Sequence, residues 1–130
     1  MKNKFYELAK KNEKALTQFM AEIVSIPSLS SQEGAVVKRM ADEMKKLGYD
    51  EVTVDGMGNL IGRIGNGPVK IAFDGHCDTV DVGNASLWKK KPYPASIENG
   101  ILYGRGASDQ KGGVASSIYC APLLKEAGLP

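Results

Sequence analysis

The stretch VKIAFDGHCD, residues 69–78, runs from a short apolar segment into the only histidine of the chain. Its mostly apolar first half predicts a central β-strand over residues 69–73. Ligands of α/β proteins gather beyond the carboxyl ends of such strands. His76 and Asp78 follow the strand two residues apart, so we expect their side chains on one face and Cys77 on the other.

Two amphipathic helices are predicted before this strand. Apolar residues recur at three- and four-residue intervals over residues 5–24, and the first helix should end before Pro27, because proline disfavours helical geometry in the residue that precedes it. Ser30 and Glu33 have the spacing of a capping box for the second helix, and Gly48 is suited to end it. The predicted buried stripe of the second helix comprises Val36, Val37, Met40, Met44 and Leu47.

Further strands and a third helix are predicted in the second half of the chain. Residues 51–54 and 59–64 flank a glycine-containing turn, which predicts a β-hairpin. Residues 96–98 and 101–103 flank an Asn-Gly pair, which is a strong signal for a tight turn. A last helix is predicted from about residue 111 to residue 127. This order of elements predicts an α/β fold with a mixed sheet flanked by helices.

Composition narrows the classes of partner. The chain has 130 residues, 42% of them hydrophobic, and a formal net charge of +2. No basic stripe with interleaved aromatic residues appears, which argues against nucleic acid as a partner. The run Lys89-Lys90-Lys91 is expected to be a solvated loop, with anion steering as the alternative. No apolar run resembles a signal peptide or a membrane span, and the two cysteines form no CxxC motif, so we expect a reduced, cytoplasmic setting and no membrane partner.

A second glycine-rich stretch, GRGASDQKGG at residues 104–113, places one carboxylate between glycines on both sides. Asp109 could cap the helix that follows, because aspartate accepts hydrogen bonds from helix N-termini. Ser108 could cap the helix instead and leave Asp109 free to face the sheet edge. Glycines on both sides indicate close backbone approach, which favours a ligand position over an ordinary cap.

The neighbours of His76 decide how it is interpreted, because a lone histidine is more often structural than a ligand. A metal-bound imidazole usually has its second ring nitrogen held by a carboxylate or a carbonyl. His76 and Asp78 together supply a ligand and such a carboxylate. A nucleophilic pair of Cys77 and His76 is disfavoured, because adjacent strand residues face apart.

Other chemistries find little support. The dinucleotide fingerprint lacks its third glycine, where Asp109 stands, and neither a Walker lysine-serine pair nor a G-x-S-x-G elbow is present. Trp88 and Tyr93 could line a substrate cleft or pack their loop down. A phosphate-binding α/β module built on residues 104–113 is a third alternative, which the charge of Asp109 disfavours unless a metal intervenes.

These motifs together resemble the ArgE/DapE family of zinc-dependent metallopeptidases and deacylases, which includes succinyl-diaminopimelate desuccinylases, aminoacylases and several dipeptidases. The sequence around Asp74-Gly75-His76 is most similar to that of the selenium metabolism hydrolase branch. The resemblance covers nearly the whole chain. Its motifs are IVSIPS (23–28), GNL (58–60), GHCDTV (75–80), Trp88, Pro92-Tyr93 and IENGILYGRGASDQKGG (97–113).

The resemblance implies a role for each matching residue. His76 would bind one metal ion, Asp109 would bridge two, and Asp78 would be the catalytic residue whose carboxylate orients and tunes His76. The implied cofactor is zinc, two ions per complete site, with cobalt or manganese as alternatives. The implied reaction is hydrolysis of amide bonds in small peptides or N-acyl amino acids by a metal-activated water. The peptide bond between Asp109 and Gln110 would be cis.

The ligand count sets a limit on this interpretation. A two-zinc site with one bridging ligand needs about five protein ligands, and the matching motifs supply only His76 and Asp109. The resemblance places the general-base glutamate, the other ligands and the lid or dimerisation domain after residue 130. We therefore expect residues 1–130 to be a partial catalytic domain with weak zinc affinity, little activity alone and an open sheet edge that favours self-association. The alternative is a non-catalytic remnant, or a binding or complementing module, of the same fold.

Overall fold

Three helices form the framework of the chain. The computed structural model describes residues 2–128, with α1 over Lys2–Ser25, α2 over Gly34–Lys46 and α3 over Gly112–Glu126. The first helix ends before Pro27, and Gly48 follows the second with a φ of 79°, as predicted. Within residues 2–128, no helix combines the length and the apolar character that a membrane crossing requires.

The predicted capping box of α2 is wrong. Glu33 occupies the N-cap position, and no side chain caps the helix by a hydrogen bond. The Glu33 carboxylate instead accepts a hydrogen bond from the backbone N–H of Ser31, at 2.7 Å. The Ser30 hydroxyl donates instead to the carboxylate of Asp78.

Two short antiparallel hairpins lie between α2 and α3. In the first, β1 (Glu51–Val54) pairs with β2 (Leu60–Arg63), and in the second, β3 (Ser96–Glu98) pairs with β4 (Ile101–Tyr103). Both hairpins were predicted. Asn99 and Gly100 have φ values of 51° and 78°, as the tight turn of a two-residue hairpin requires.

The predicted central strand over residues 69–73 is absent, and this expectation was wrong. Val69, Ile71 and Phe73 are 82%, 81% and 64% exposed. A β-strand needs hydrogen-bonded neighbours, and the described strands pair only within their own hairpins. The one further bridge is parallel and joins Leu29 to Thr79. The α/β class is confirmed, since helices and two small antiparallel sheets are present together with one parallel bridge. Apolar character alone, however, does not make residues 69–73 a strand.

The core lies between the three helices. Its buried side chains come from α1, α2 and α3: Phe19, Ile23, Val36, Met40, Met44, Ala115, Ile118 and Tyr119. The predicted stripe of α2 is confirmed, since Val37 and Leu47 pack against this cluster. One carboxylate is buried here: Glu43 accepts hydrogen bonds from the Tyr119 hydroxyl and from Arg39. The functional residues lie on segments attached to this core.

Candidate functional site

His76 and Asp109, which are 33 residues apart in sequence, meet in the structure. The Nε2 atom of His76 lies 3.1 Å from Oδ1 of Asp109. His76 follows the extended segment after β2, and Asp109 lies in the irregular turn just before α3. Both side chains are open to solvent, with 47% of His76 and 87% of Asp109 exposed. A third molecule or ion can therefore reach both.

Asp78 holds the opposite side of the imidazole. The Nδ1 atom of His76 lies 3.2 Å from the carbonyl oxygen of Asp78 and 3.2 Å from its carboxylate Oδ1. The predicted common face of His76 and Asp78 is thus confirmed. Cys77 packs against the helical core, so it lies on the other side, also as predicted.

Ser30 holds Asp78 in turn. Its hydroxyl donates a hydrogen bond to Oδ2 of Asp78 at 2.6 Å, across 48 residues of sequence. This bond, followed by the attraction of the neighbouring His76, lowers the pKa of Asp78. The pKa of His76 is raised, first by the hydrogen bond to the Asp78 carbonyl and then by the charges of Asp109 and Asp78. The imidazole of His76 therefore faces an ionised carboxylate of Asp78.

The turn between α1 and α2 binds the segment that carries His76. The buried Ser28 hydroxyl donates to the carbonyl of Cys77 at 2.7 Å, and the Thr79 N–H donates to the Ser28 carbonyl at 2.7 Å. Leu29 forms the parallel bridge to Thr79. These bonds give the segment its only regular pairing among the described residues near the site.

Glycines allow the turn that carries Asp109 to pack closely. Gly106 has a φ of 83°, and a Cβ atom there would lie 2.7 Å from Cγ2 of Thr79. At Gly104 a Cβ atom would lie 2.5 Å from Cγ1 of Val24, and at Gly112 it would lie 2.7 Å from the Ala107 carbonyl. The expected close approach is confirmed at these positions. Gly113 has only an ordinary contact.

Asp109 does not cap α3. The N-cap residue is Lys111, and no side chain caps this helix. The expectation that Asp109 is free of a capping role is therefore met, although Ser108 does not cap the helix either. The peptide bond between Asp109 and Gln110 is cis, as the resemblance implied.

Three residues near the site were not recognised from the sequence as contributors: Ser28, Ser30 and Lys111. Lys111 is fully buried, and its Nζ donates to the carbonyls of Ile23 and Ile26. Burial lowers its pKa to about 8. A lysine that follows a glutamine and precedes two glycines has no distinctive pattern, so the sequence carried no signal for its burial.

Trp88 and Tyr93 are engaged in packing. The Trp88 indole donates to the Val82 carbonyl at 2.9 Å, and the Arg105 guanidinium lies 4.7 Å from the centre of its ring. The Tyr93 hydroxyl lies 3.4 Å from Oγ1 of Thr79. Of the two alternatives for these aromatic residues, these contacts favour packing of the loop.

The donor set is suited to part of a metal site. Imidazole nitrogen and carboxylate oxygen both bind zinc at about 2 Å, so one ion could contact the facing atoms of His76 and Asp109. Among residues 2–128, no group of three or more histidine, cysteine, aspartate or glutamate side chains is arranged to hold a metal ion. The two residues therefore fit as members of a larger ligand set.

Comparison with known proteins identifies the family of the chain. Residues 72–130 match the profile of peptidase family M20/M25/M40. Over 115 residues, the chain is 36% identical to the succinyl-diaminopimelate desuccinylase of Parvibaculum lavamentivorans, with 82% of this chain and 29% of the relative covered. The chain is an ArgE/DapE-type member of the M20 family. The uncharacterized protein YgeY of Escherichia coli K12 is 44% identical over 123 residues, which cover 95% of this chain and 30% of YgeY.

Solved structures share the fold at low identity. The di-peptidase Dug1p of Saccharomyces cerevisiae superposes with a TM-score of 0.78 at 17% identity, over 97% of this chain and 31% of Dug1p. The M20 family metallo-carboxypeptidase Sso-CP2 of Sulfolobus solfataricus gives a TM-score of 0.75 at 24% identity, over 86% of this chain and 27% of Sso-CP2. The chain thus spans about 30% of the length of the curated relatives it matches.

Proposed function

We propose that residues 1–130 form the N-terminal part of the catalytic unit of a metal-dependent hydrolase that cleaves amide bonds in small peptides or N-acyl amino acids. The observation that carries this proposal is the approach of His76 Nε2 to Asp109 Oδ1, at 3.1 Å, on an exposed face. The desuccinylase, di-peptidase and metallo-carboxypeptidase relatives support the substrate class, because each name denotes hydrolysis of an amide bond.

In this proposal His76 and Asp109 are metal ligands, and Asp78 is the catalytic residue whose carboxylate orients and tunes His76. Contact of Nδ1 with the Asp78 carbonyl and carboxylate fixes the ring, which leaves Nε2 to face Asp109. A carboxylate behind the ring also raises the basicity of a ligand imidazole. Ser30 keeps Asp78 in place through the hydroxyl bond to Oδ2.

Zinc is the proposed metal, two ions per complete site, with cobalt or manganese as alternatives. A bound metal pair would polarise the scissile carbonyl and lower the pKa of the attacking water. The part that this chain plays is to hold one imidazole and one carboxylate at a fixed separation, with a second carboxylate behind the imidazole. His76 and Asp109 account for two ligands of a set that requires about five.

We expect the 130-residue chain alone to bind zinc weakly and to have little activity. The rest of the ligand set and a lid or dimerisation domain would come from sequence beyond residue 130, or from a complementing chain. The exposed side chains of Val69, Ile71 and Phe73 support a complementing role, because such a row of apolar residues is suited to pair with further strands.

A split-enzyme experiment tests the proposal. Residues 1–130 are co-expressed with the part of YgeY that follows its matching 123 residues. The purified pair is assayed for release of the free amine from a panel of dipeptides and N-acyl amino acids, with zinc and with a chelator. We expect activity that requires both chains and the metal.

Matched variants identify the residues responsible. His76→Ala and Asp109→Asn should abolish activity of the pair, whereas Asp78→Asn should reduce it by about 10–100-fold, as outer partners of metal ligands typically do. Ser86→Ala, in a solvent-exposed loop, is the control. A purified pair that assembles yet hydrolyses nothing in the panel would contradict the enzymatic proposal and favour a non-catalytic binding module. Tight binding of two zinc ions by residues 1–130 alone would contradict the division of ligands between segments.

A further inference from the structure

Lys111 is an unusual residue in this molecule because its charged side chain is fully buried. Its exposed fraction is 0%. Burial of an ammonium group is unfavourable unless hydrogen bonds compensate it. The two acceptors that compensate it are both backbone carbonyls, those of Ile23 at 2.9 Å and Ile26 at 2.7 Å.

The Ile23 carbonyl lies in the last turn of α1, and the Ile26 carbonyl follows directly after the end of the helix. The last carbonyls of a helix have no partner within the helix, and the negative end of the helix dipole favours a cation there. Lys111 therefore caps a helix that lies 88 residues earlier in the sequence. The interaction joins the start of α3 to the end of α1.

The same residue closes the turn that carries Asp109. The Lys111 N–H donates to the Gly106 carbonyl at 3.0 Å, and the Ala107 N–H donates to the Gly104 carbonyl at 3.2 Å. A Cβ atom at Gly106 would lie 3.4 Å from Cδ of Lys111, so the aliphatic stem of the lysine passes directly beside the turn. Asp109 thus lies in a turn whose last residue, Lys111, is anchored by its own buried side chain.

The chain around Pro27 holds the other half of the site as well. Ser28 and Leu29 bind the backbone of residues 77–79, next to His76. Lys111 reaches Ile23 and Ile26, a few residues earlier on the same stretch. One segment therefore fixes the backbone on either side of the 3.1 Å approach between His76 and Asp109.

We propose that Lys111 is a positioning residue for Asp109: its buried ammonium anchors the turn of residues 104–111 to the end of α1 and so sets the distance from Asp109 to His76. The consequence for metal binding rests on the proposed function, in which these two residues are ligands. The anchoring itself does not depend on that function.

Lys111→Met tests the proposal, because methionine has a similar length and no charge. Hydrogen exchange of the 130-residue chain is followed by NMR at one and the same pH for all variants. Protection of the amides at positions 107 and 111 should fall by about tenfold, whereas protection within α2 should change little. Lys111→Arg should restore much of the protection, because a guanidinium can also donate to two carbonyls.

Zinc affinity provides a second measurement. His76 is the only histidine, so its ring signals report zinc binding directly. Lys111→Met should weaken zinc binding by about tenfold or more, in the range expected for loss of a residue that supports a metal ligand. Lys111→Arg should recover part of this loss.

Two controls separate positioning from general stability. Lys125→Met makes the same chemical change at an exposed lysine of α3 and should alter neither measurement. Ile118→Val weakens the core under α3; it should lower exchange protection throughout the molecule without a selective effect at positions 107 and 111.

The outcomes distinguish the two proposals. Unchanged protection at positions 107 and 111 in Lys111→Met, or a loss equal to that in α2, would overturn the positioning role. Selective loss of protection supports it. If zinc leaves the His76 signals of the unmodified chain unaffected at every concentration, the activity of the His76→Ala pair decides the ligand role of His76, and the exchange data alone decide the role of Lys111.

Discussion

The helical core and residues 69–73, which lie within the segment of residues 64–78 between β2 and the site, are both rich in apolar residues but have opposite environments. Phe19 and Ile23 of α1 are 1% and 0% exposed, whereas Ile71 and Phe73 are 81% and 64% exposed. The core residues find their partners on α2 and α3 within this chain. The segment has no strand beside it among the described residues. Apolar sequence predicts burial only where the partner surface is also present.

The two regions meet at the turn between α1 and α2. Ser28 and Leu29 hold residues 77–79, so the last residues of the segment are ordered by the helices although the first are not paired. His76 lies beside this junction. The functional geometry therefore depends on a few bonds at the junction and not on a complete sheet.

The largest expected effect is a difference between the two regions in how much a substitution lowers the free energy of unfolding. Phe19→Ala should lower the free energy of unfolding by about 3–5 kcal/mol, because it removes a buried ring that packs on Tyr119. Phe73→Ala, in the exposed segment, should change it by less than about 0.5 kcal/mol. Urea denaturation followed by circular dichroism measures both. Similar losses for the two variants would mean that Phe73 is buried in solution.

Loss of the junction should have an intermediate effect. Ser28→Ala removes a buried hydroxyl and leaves the Cys77 carbonyl without its donor, which should cost about 1–3 kcal/mol. Hydrogen exchange at the Thr79 amide should increase at the same time. The matched control is Ser86→Ala in an exposed loop, which should change neither quantity. A Ser28→Ala variant with unchanged Thr79 exchange would show that the junction does not order the segment.

The exposed apolar row should cause weak self-association. We expect the apparent mass in sedimentation velocity to rise with protein concentration, because unpaired strand-forming segments tend to pair with other chains. Ile71→Lys places a charge on the row and should reduce this rise, whereas Lys38→Met, on the exposed face of α2, should not. A monodisperse monomer at all concentrations would contradict this prediction.

The smallest expected effect concerns the ionisation of His76. The pKa of His76 in the folded chain should lie above the ordinary value of 6.5. Asp109→Asn should lower this pKa more than Asp78→Asn, because the Asp109 carboxylate exerts the larger charge attraction and also forms a side-chain hydrogen bond with His76, whereas the Asp78 backbone carbonyl remains in both variants. A group with a raised pKa stabilises the fold below pH 6.5, and this contribution is lost as the pH rises through the folded pKa. Asp78 has a lowered pKa, so its contribution is present above pH 3.8 and is lost as the pH falls through its folded pKa.

NMR titration of the single histidine in metal-free buffer measures these shifts. The contribution of His76 and Asp78 to the free energy of unfolding should accordingly be greatest between pH 3.8 and pH 6.5. A His76 pKa that is equal in the parent chain and in Asp109→Asn would contradict the 3.1 Å approach in solution.

Local patterns in the sequence were sufficient to predict the helices, both hairpins and membership of the ArgE/DapE family. They also indicated His76, Asp78 and Asp109 as the candidate site, whose roles stay proposals, as does the narrower selenium metabolism hydrolase branch. The failures were a strand over residues 69–73 and a capping box at Ser30 and Glu33. In both cases a local pattern was interpreted without knowledge of the groups that lie nearby in space.

The sequence by itself determined the elements whose stabilising contacts are close along the chain. These are the helices with their apolar stripes, the glycine that ends α2, and the two-residue turn. Only the tertiary structure decided the partners that lie 33, 48 and 88 residues apart, namely His76 with Asp109, Ser30 with Asp78, and Lys111 with Ile23. Hydrogen bonds act over about 3 Å, so such partners exist only after the helices have packed and brought the two segments together.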